Sequence, residues 1–511
     1  MSNIVNERSA RYDALAQPPT TDLKRRSVRG GFATVSAQGL KFVIQTVTTM
    51  VMARLLSPQD FGLQGMMVAL TGFLALFQEG GLGTATIQRL EVTHEQTSTL
   101  FWVNAALGMI LGLLCVALAP VVVAFYHEPR LYWVAVISGA TFVLNGLAAQ
   151  HTALLRRGMR FVTQGKIGVL SLAVGSATGI TMAVLGCQYW SLVGMTMAIS
   201  IVNTAAVWVA VPWVPGPPRR GSGVGAMLGF GGLATCNGFV VFLAWNAEKI
   251  LLGRFWGADA LGLYGRAYQL VTLPVQQLEI SLAAVAFPAL SRIQHDAARL
   301  AKSFLNAYNL HISLTVPITI ICALFAEEIV AIVLGTKWMA AAQTFRLLAP
   351  VAVVFAVANP LSWLVLSTGR IGRALCISTT TTPVVILGIV LGLSHGPNGV
   401  ALGYSSAMAL VLVPIAAWSK LGTAVTWADL WQATKRPLFA GLLAGAAGAL
   451  VKLTLGATLP LIPYLLVGVG VVLGTYAWTL LIAMDQKHIY LDLLSHLLPR
   501  LQSQPKRAEQ P

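Results

Sequence analysis

The stretch RLLSPQDFGLQG, Arg54 to Gly65, returns 200 residues later as RFWGADALGLYG, Arg254 to Gly265. Without a gap, four positions carry the same residue in both copies: Arg54, Gly62, Leu63 and Gly65 match Arg254, Gly262, Leu263 and Gly265. Each copy lies between two long apolar runs. Four identities in a Gly- and Leu-rich chain can also arise by chance, but internal duplication is the interpretation we favour. We therefore predict two similar halves.

The composition indicates a membrane protein. Of 511 residues, 56% are hydrophobic and only 10% are charged, which is more apolar surface than a soluble core can bury. The formal net charge of +16 would suit nucleic acid, but the basic residues are dispersed between apolar segments, so we predict no nucleic-acid partner. The five cysteines lie in apolar runs without CxxC spacing, which indicates buried side chains rather than a metal site.

The apolar runs have the length of membrane helices, since about 20 apolar residues are needed to cross roughly 30 Å of hydrocarbon. Fourteen segments qualify: 32–53, 61–83, 98–125, 131–154, 167–186, 190–212, 227–252, 260–290, 306–326, 342–367, 374–393, 398–418, 437–454 and 460–484. We therefore predict an all-α integral membrane protein with about 14 transmembrane helices.

A break after the sixth segment divides the chain, because WVPGPPRRGSGVG, residues 213–225, is too rich in proline and glycine to continue a helix. The predicted parts are a cytoplasmic tail (1–30), an N-terminal lobe of six helices (31–212), a cytoplasmic linker (213–226), a C-terminal lobe of six helices (227–420), two additional helices (421–485) and a second cytoplasmic tail (486–511). The polar N-terminal tail has no cleavage site typical of a signal peptide.

The positive charges support this topology. With the N-terminus in the cytoplasm, 25 of the 34 Lys and Arg residues lie on the inner side, five lie outside and four fall within or beside spans. Six helices separate the two motif copies, so both face outward and the lobes are parallel repeats around a central cavity. Rocking of such repeats alternates the access to a substrate between them. We expect the motif copies to be structural joints of the lobes rather than a substrate site.

The chain has no feature typical of an enzyme. Its outer loops are short, it has no GxxxxGK[ST] sequence for binding nucleotide phosphates, and its eight histidines are scattered. We predict neither a catalytic residue nor a cofactor or metal.

Charged residues inside the spans are the candidate functional residues, because a charge in the bilayer is costly unless it faces protein or water. They are Lys41, Glu248, Lys249, Arg266, Glu279 and Arg346. The four basic residues either form structural ion pairs or reach toward the interface, or else they line a cavity that attracts an anion such as a phosphate group. Glu248 and Glu279 are candidates for H⁺ or Na⁺ coupling, and helix-to-helix hydrogen bonding is the alternative role.

Several patterns resemble one transporter family. They are LSPQDFGLQG, EGGLGTATIQR at Glu79–Arg89, FWVN at Phe101, LLGRFWGADALGLYGRAYQLVTLPVQQL from Leu251, and LGTKWMAAAQTFRLLAP at Leu334–Pro350. Together they resemble the polysaccharide transport family, the Wzx-like oligosaccharide flippases of the multidrug, oligosaccharidyl-lipid and polysaccharide exporter superfamily. The resemblance covers roughly residues 28–485 and implies two six-helix lobes with two extra C-terminal helices.

The resemblance also implies a function. It is the flipping of an undecaprenyl-diphosphate-linked oligosaccharide across the bacterial inner membrane, for lipopolysaccharide, capsule or exopolysaccharide assembly. Membrane lipids and polysaccharide polymerase or export proteins are the other expected partners. The alternatives are a cation-coupled multidrug exporter of the same superfamily, a membrane polymerase or ligase of glycan lipids, and a scaffold. The glycan and the coupling ion stay open.

Overall fold

The structure is a computed structural model. It describes residues 23–79, 93–218, 225–368, 370–456 and 458–486. Parts of several predicted features lie outside these residues, namely the two tails (1–22 and 487–511), linker residues 219–224 and most of the EGGLGTATIQR pattern.

The described residues form 14 α-helices and contain no strand. The helices are α1 Leu23–Leu55, α2 Pro58–Glu79, α3 His94–Tyr126, α4 Leu131–Arg157, α5 Phe161–Val184, α6 Trp190–Ala210, α7 Gly225–Arg292, α8 Ala297–Leu324, α9 Ala326–Val333, α10 Ala341–Ser367, α11 Ile371–Gly392, α12 Gly396–Lys420, α13 Trp427–Leu455 and α14 Leu461–Trp478. The prediction of an all-α membrane protein is confirmed.

Each predicted span falls on a helix. The seventh and eighth spans share α7, which is kinked at Gly257, where φ is 78° and ψ is −174°. The short helix α9 lies between the predicted spans 306–326 and 342–367, where no helix is predicted. Ten stretches of the described residues are long and apolar enough to cross a membrane; they leave out α1, α7 and the short α9, and one of them joins α11 to α12.

The helices group into two compact units. Among the described residues, unit 1 consists of those up to Ala267 together with Val333–Thr344 and Ser378–Tyr404, and unit 2 consists of Tyr268–Ile332, Phe345–Ile377 and those from Ser405 onward. These boundaries differ from those of the predicted lobes, because residues 225–267, 333–344 and 378–404 of the second half group with the first. The division into lobes stays a prediction.

In unit 1, glycines bring α3 and α4 into backbone contact. A Cβ added to Gly112 would lie 2.7 Å from the carbonyl oxygen of Gly139, and one added to Gly108 would lie 2.6 Å from that of Phe142. Small residues four apart on one helix allow such close packing in a membrane, where burial from water does not drive helices together.

In unit 2, α13 and α14 pack on α8 through an apolar core that includes Phe325 and Tyr464. The ammonium of Lys452 on α13 donates to the Leu324 carbonyl oxygen at 2.8 Å and lies 3.6 Å from Glu328. Apolar packing therefore holds both additional helices, and α13 adds the polar contacts of Lys452.

Candidate functional site

The first motif copy starts helix α2 by local chemistry. Ser57 precedes the helix, its backbone N–H and hydroxyl donate to Asp60 Oδ2 at 2.8 and 2.6 Å, and the Asp60 N–H donates back to the Ser57 hydroxyl at 3.3 Å. This reciprocal capping box, with Pro58 as the first helical residue, satisfies N–H groups that have no partner inside the helix. The sequence SPQD therefore makes a sharp break between α1 and α2.

The second copy makes its break differently. The residue that aligns with Ser57 is Gly257, whose positive φ is readily adopted only by glycine. The chain bends there without a capping box, and helix continues on both sides. Both copies thus change the direction of the chain at the same aligned position.

The two copies pack directly on each other with two-fold reciprocity. A Cβ added to Gly62 would lie 1.7 Å from the carbonyl oxygen of Ala258, and one added to Gly262 would lie 1.8 Å from that of Pro58. Since position 58 aligns with 258 and 62 aligns with 262, the two contacts are the same contact made in both directions. Such a self-complementary contact is typical of a two-fold axis, as expected for parallel repeats.

Residues beside the two motif copies also make contacts between the first and second halves of the sequence. The residues at the end of α1 receive hydrogen bonds from the second half: Lys337 Nζ donates to the Arg54 carbonyl oxygen at 2.9 Å, and Trp338 Nε1 to that of Ala53 at 2.8 Å. In the other direction, the guanidinium of Arg254 lies 5.8 Å from the ring of Phe125 in the first half. We call Ala53–Gly65, Phe125–Tyr126, Gly253–Arg266 and Lys337–Trp338 the collar; all of it belongs to unit 1.

Arg266, one of the predicted cavity residues, lies in the collar. Its guanidinium is 4.4 Å from the centre of the Phe61 ring, and that ring meets the fully buried Trp338 edge-on at 5.4 Å. Its Nε is buried and has no hydrogen-bond partner among the described residues. The aromatic face offers a cation–π contact that uses none of the N–H groups of the guanidinium.

Glu248 and Lys249, also in unit 1, have different surroundings. Lys249 Nζ donates to Asn246 Oδ1 at 2.9 Å. Glu248 is 1% exposed, and within the part of the chain that the structure describes neither of its carboxylate oxygens has a hydrogen-bond partner. An unpartnered buried carboxylate is costly unless a proton or a cation neutralises it, which fits the predicted coupling role.

Lys41 lies in α1 and packs on α5, where a Cβ added to Gly168 would lie 2.3 Å from its ammonium nitrogen. The glycine thus leaves room for the lysine side chain. Among the described residues, Lys41, Lys249 and Arg266 form no ion pair with a carboxylate.

Two further predicted residues lie in unit 2. Glu279 accepts a hydrogen bond from the side-chain amide of Asn359, so this carboxylate joins α7 to α10. Arg346 donates to Glu327 at 2.8 Å in an exposed ion pair, which matches the structural alternative of the sequence analysis better than the anion site. Whether the six charged residues bind cargo or ions stays a prediction.

The collar contacts are what sequence reasoning missed. The glycines Gly62 and Gly262 were visible as identities of the repeat, but a repeat shows which positions are equivalent and not which ones touch. Lys337 and Trp338 lie outside the motif copies, and nothing in the sequence pairs them with α1.

Comparison with known proteins gives the family. The family profile described as polysaccharide biosynthesis protein matches residues 51–343. The teichuronic acid biosynthesis protein TuaB of Bacillus subtilis is 28% identical over 59% of this chain and 62% of its own length. The lipopolysaccharide biosynthesis protein WzxC of Escherichia coli is 25% identical over 75% of this chain and 78% of its own. The succinoglycan biosynthesis transport protein ExoT of Rhizobium meliloti is 23% identical over 65% and 67%.

Solved structures share the fold at low identity. The lipid II flippase MurJ, in an inward closed conformation, matches with a TM-score of 0.72 at 14% identity, over 90% of this chain and 99% of that one. An inward-facing multidrug resistance transporter of the MATE family matches with a TM-score of 0.60 at 13% identity, over 77% and 100%. These neighbours are transporters and flippases rather than enzymes, and with the family match they confirm the predicted resemblance. The chain belongs to the polysaccharide biosynthesis protein family, as a multi-pass membrane protein with the fold of the flippases and multidrug transporters.

Proposed function

We propose that this protein flips an undecaprenyl-diphosphate-linked oligosaccharide from the cytoplasmic to the periplasmic leaflet of the bacterial inner membrane. The product would enter lipopolysaccharide, capsule or exopolysaccharide assembly, in contact with polysaccharide polymerase or export proteins. Family membership and the names of WzxC and ExoT support a role in polysaccharide transport. The +16 charge and the alternation of basic loops support cytoplasmic termini.

The reciprocal contact of the two motif copies is the observation that carries the mechanism. Alternating access needs two similar halves that meet on one side of the membrane and separate there when the opposite side closes. Gly62 and Gly262 bring the halves into backbone contact on the predicted outer side. In our proposal this contact opens to release cargo outward.

The cargo is recognised by its charge. A diphosphate has several acceptor oxygens and binds well to cations that are held away from bulk water. Lys41, Lys249 and Arg266 lack carboxylate partners among the described residues, so they are our anion-binding candidates. Arg346 is the weakest, because Glu327 already neutralises it.

An ion gradient is the proposed energy source, and Glu248 is its favoured binding residue. The carboxylate is buried without a hydrogen-bond donor, so binding H⁺ or Na⁺ would remove an uncompensated charge. Glu279 is second, because Asn359 already stabilises it.

The experiment is translocation of a defined lipid-linked oligosaccharide by purified protein in liposomes. Lys41→Gln and Arg266→Gln should each reduce the initial rate about tenfold or more, as for loss of a charge-assisted hydrogen bond. Arg160→Gln removes one exposed charge from an inner loop and is the matched control. Unchanged rates in both test variants would reject the anion site.

A multidrug exporter is the second candidate, favoured by the MATE fold match and by the buried carboxylate of Glu248. It predicts drug resistance that is lost on Glu248→Gln or Glu279→Gln, with no translocation of the glycan lipid.

A further inference from the structure

Unit 2 contains a cavity of about 210 Å³ at its predicted cytoplasmic face. Three separate connections line it: Gln294, His295 and Ala297 before and at the start of α8, Thr368 and Arg370 between α10 and α11, and Gly422–Ala424 after α12. The cavity is smaller than the roughly 300–1,000 Å³ of drug-sized pockets, and polar side chains such as Gln294, His295 and Arg370 share its lining with apolar ones such as Ala297 and Leu300. It has room for a small headgroup and not for a glycan.

Positive charge dominates the three connections. Segments 290–300, 368–373 and 418–424 carry five cations: Arg292, Arg299, Arg370, Arg373 and Lys420. Their one acid is Asp296, and it caps α8 by accepting the backbone N–H of Arg299 at 3.0 Å. Within the described residues none of the five cations forms an ion pair. A concave site with unneutralised cations attracts an anion.

Arg370 lines the cavity and connects two of the three segments around it. Its two terminal nitrogens donate to the carbonyl oxygens of Leu421 and Gly422. Gly422 has φ of 69°, and a Cβ there would lie 2.7 Å from the guanidinium. The glycine therefore lets the guanidinium lie against the loop. Both hydrogen bonds use the terminal nitrogens, and among the described residues the Arg370 Nε has no acceptor, so it is available to a ligand in the cavity.

Exposed aromatic residues follow the cavity in the chain, on the cytoplasmic side of the predicted span 437–454. Trp427 and Trp431, in the first turns of α13, are 47% and 63% exposed. The ammonium of Lys420 lies 5.2 Å from the Trp427 ring. Exposed tryptophans beside lysines are typical of the membrane–water interface, and basic pockets between helices at this level are the form that headgroup sites take.

We propose that this cavity binds the phosphate headgroup of an anionic phospholipid of the inner leaflet. Arg370 and His295, which line the cavity, face the phosphate. The site is separate from the charged residues proposed for cargo and does not depend on the cargo's identity.

The test is a titration of purified full-length protein with phosphatidylglycerol or phosphatidylcholine, measured by native mass spectrometry. Gln294→Glu places a carboxylate at the cavity without removing any contact of Arg370. Gln432→Glu makes the same change on the exposed surface of α13, outside the cavity, and is the matched control. Arg370→Gln is the second test variant.

We expect phosphatidylglycerol to bind at least fivefold more tightly than phosphatidylcholine. Gln294→Glu and Arg370→Gln should each weaken phosphatidylglycerol binding at least fivefold, and Gln432→Glu less than twofold. Equal effects of the two glutamate substitutions would overturn the proposal in favour of diffuse surface charge. Equal binding of the two lipids would also overturn it. Displacement of bound lipid by free glycerol phosphate at equal concentration would assign the cavity to a soluble phosphate and overturn it too.

Discussion

The glycines of the collar predict a graded mutational series. Alanine at Gly62 would place its Cβ 1.7 Å from the carbonyl oxygen of Ala258, whereas ordinary contact begins at 3.4 Å. The two motif copies must therefore separate by about 1.7 Å, because neither backbone can rotate away as a flexible side chain can. Overpacking usually costs about 1–3 kcal/mol, and a clash with backbone belongs at the upper end.

The two-fold reciprocity makes the double variant informative. Gly262→Ala requires a separation of about 1.6 Å between the same two segments, from 1.8 Å to 3.4 Å. One movement relieves both clashes, so the double variant should cost clearly less than twice the single one. Two independent sites would instead give additive costs.

The motif contains its own controls. Gly265 has no atom within 4 Å of an added Cβ, so Gly265→Ala should be neutral. A Cβ added to Gly65 would meet only the flexible side chain of Leu261, at 3.2 Å, so the loss of stability in Gly65→Ala should lie between those of Gly62→Ala and Gly265→Ala. The assay is thermal unfolding of purified protein in one detergent, together with polymer export in cells. The reasoning is refuted if Gly62→Ala and Gly265→Ala unfold at the same temperature.

Three further predictions concern single contacts. Arg130 donates two hydrogen bonds of 2.8 Å to Glu128 and lowers the pKa of that carboxyl below 4.5. The ion pair stabilises the fold by at most about 1 kcal/mol; this stabilisation is present above pH 4.5 and is lost as the pH falls through the lowered pKa. The unfolding free energy of Glu128→Gln should therefore lack that acid dependence. Lys452→Met leaves Glu328 without its cation and should cost about 1–3 kcal/mol in thermal unfolding, which the added Glu328→Gln should largely restore. His311 is fully buried, and in the described part of the chain its two ring nitrogens have no hydrogen-bond partner; His311→Phe should therefore leave stability unchanged or raise it by up to about 2 kcal/mol, and a clear loss in denaturation would contradict this.

The helices were predictable because a helix that crosses the bilayer must carry an apolar run long enough to match the thickness of the hydrocarbon. The 342–367 span, for example, corresponds to α10 at Ala341–Ser367. The same criterion misses helix outside the hydrocarbon. It places the start of α1 at residue 32 although the helix begins at Leu23, and it overlooks the eight residues of α9.

The partners of the candidate residues were not predictable to the same degree. Glu327 and Arg346 lie 19 positions apart across a loop, and no periodic pattern links them. Phe61 and Arg266 meet because two distant motif copies pack together. Residue type and helical position identified these charges, but their neutralisation depends on tertiary contacts that a single sequence does not contain.

The most direct test of the proposed function locks the collar during transport. Cysteines in place of the exposed Arg54 and Lys337, in a background without native cysteines, can be joined by a short reducible cross-linker, because Lys337 already reaches the Arg54 backbone. Translocation of a lipid-linked oligosaccharide in liposomes is then measured before cross-linking, after it and after reduction. The account predicts translocation that stops on cross-linking and returns on reduction. Translocation that continues at the same rate through the locked collar would contradict it.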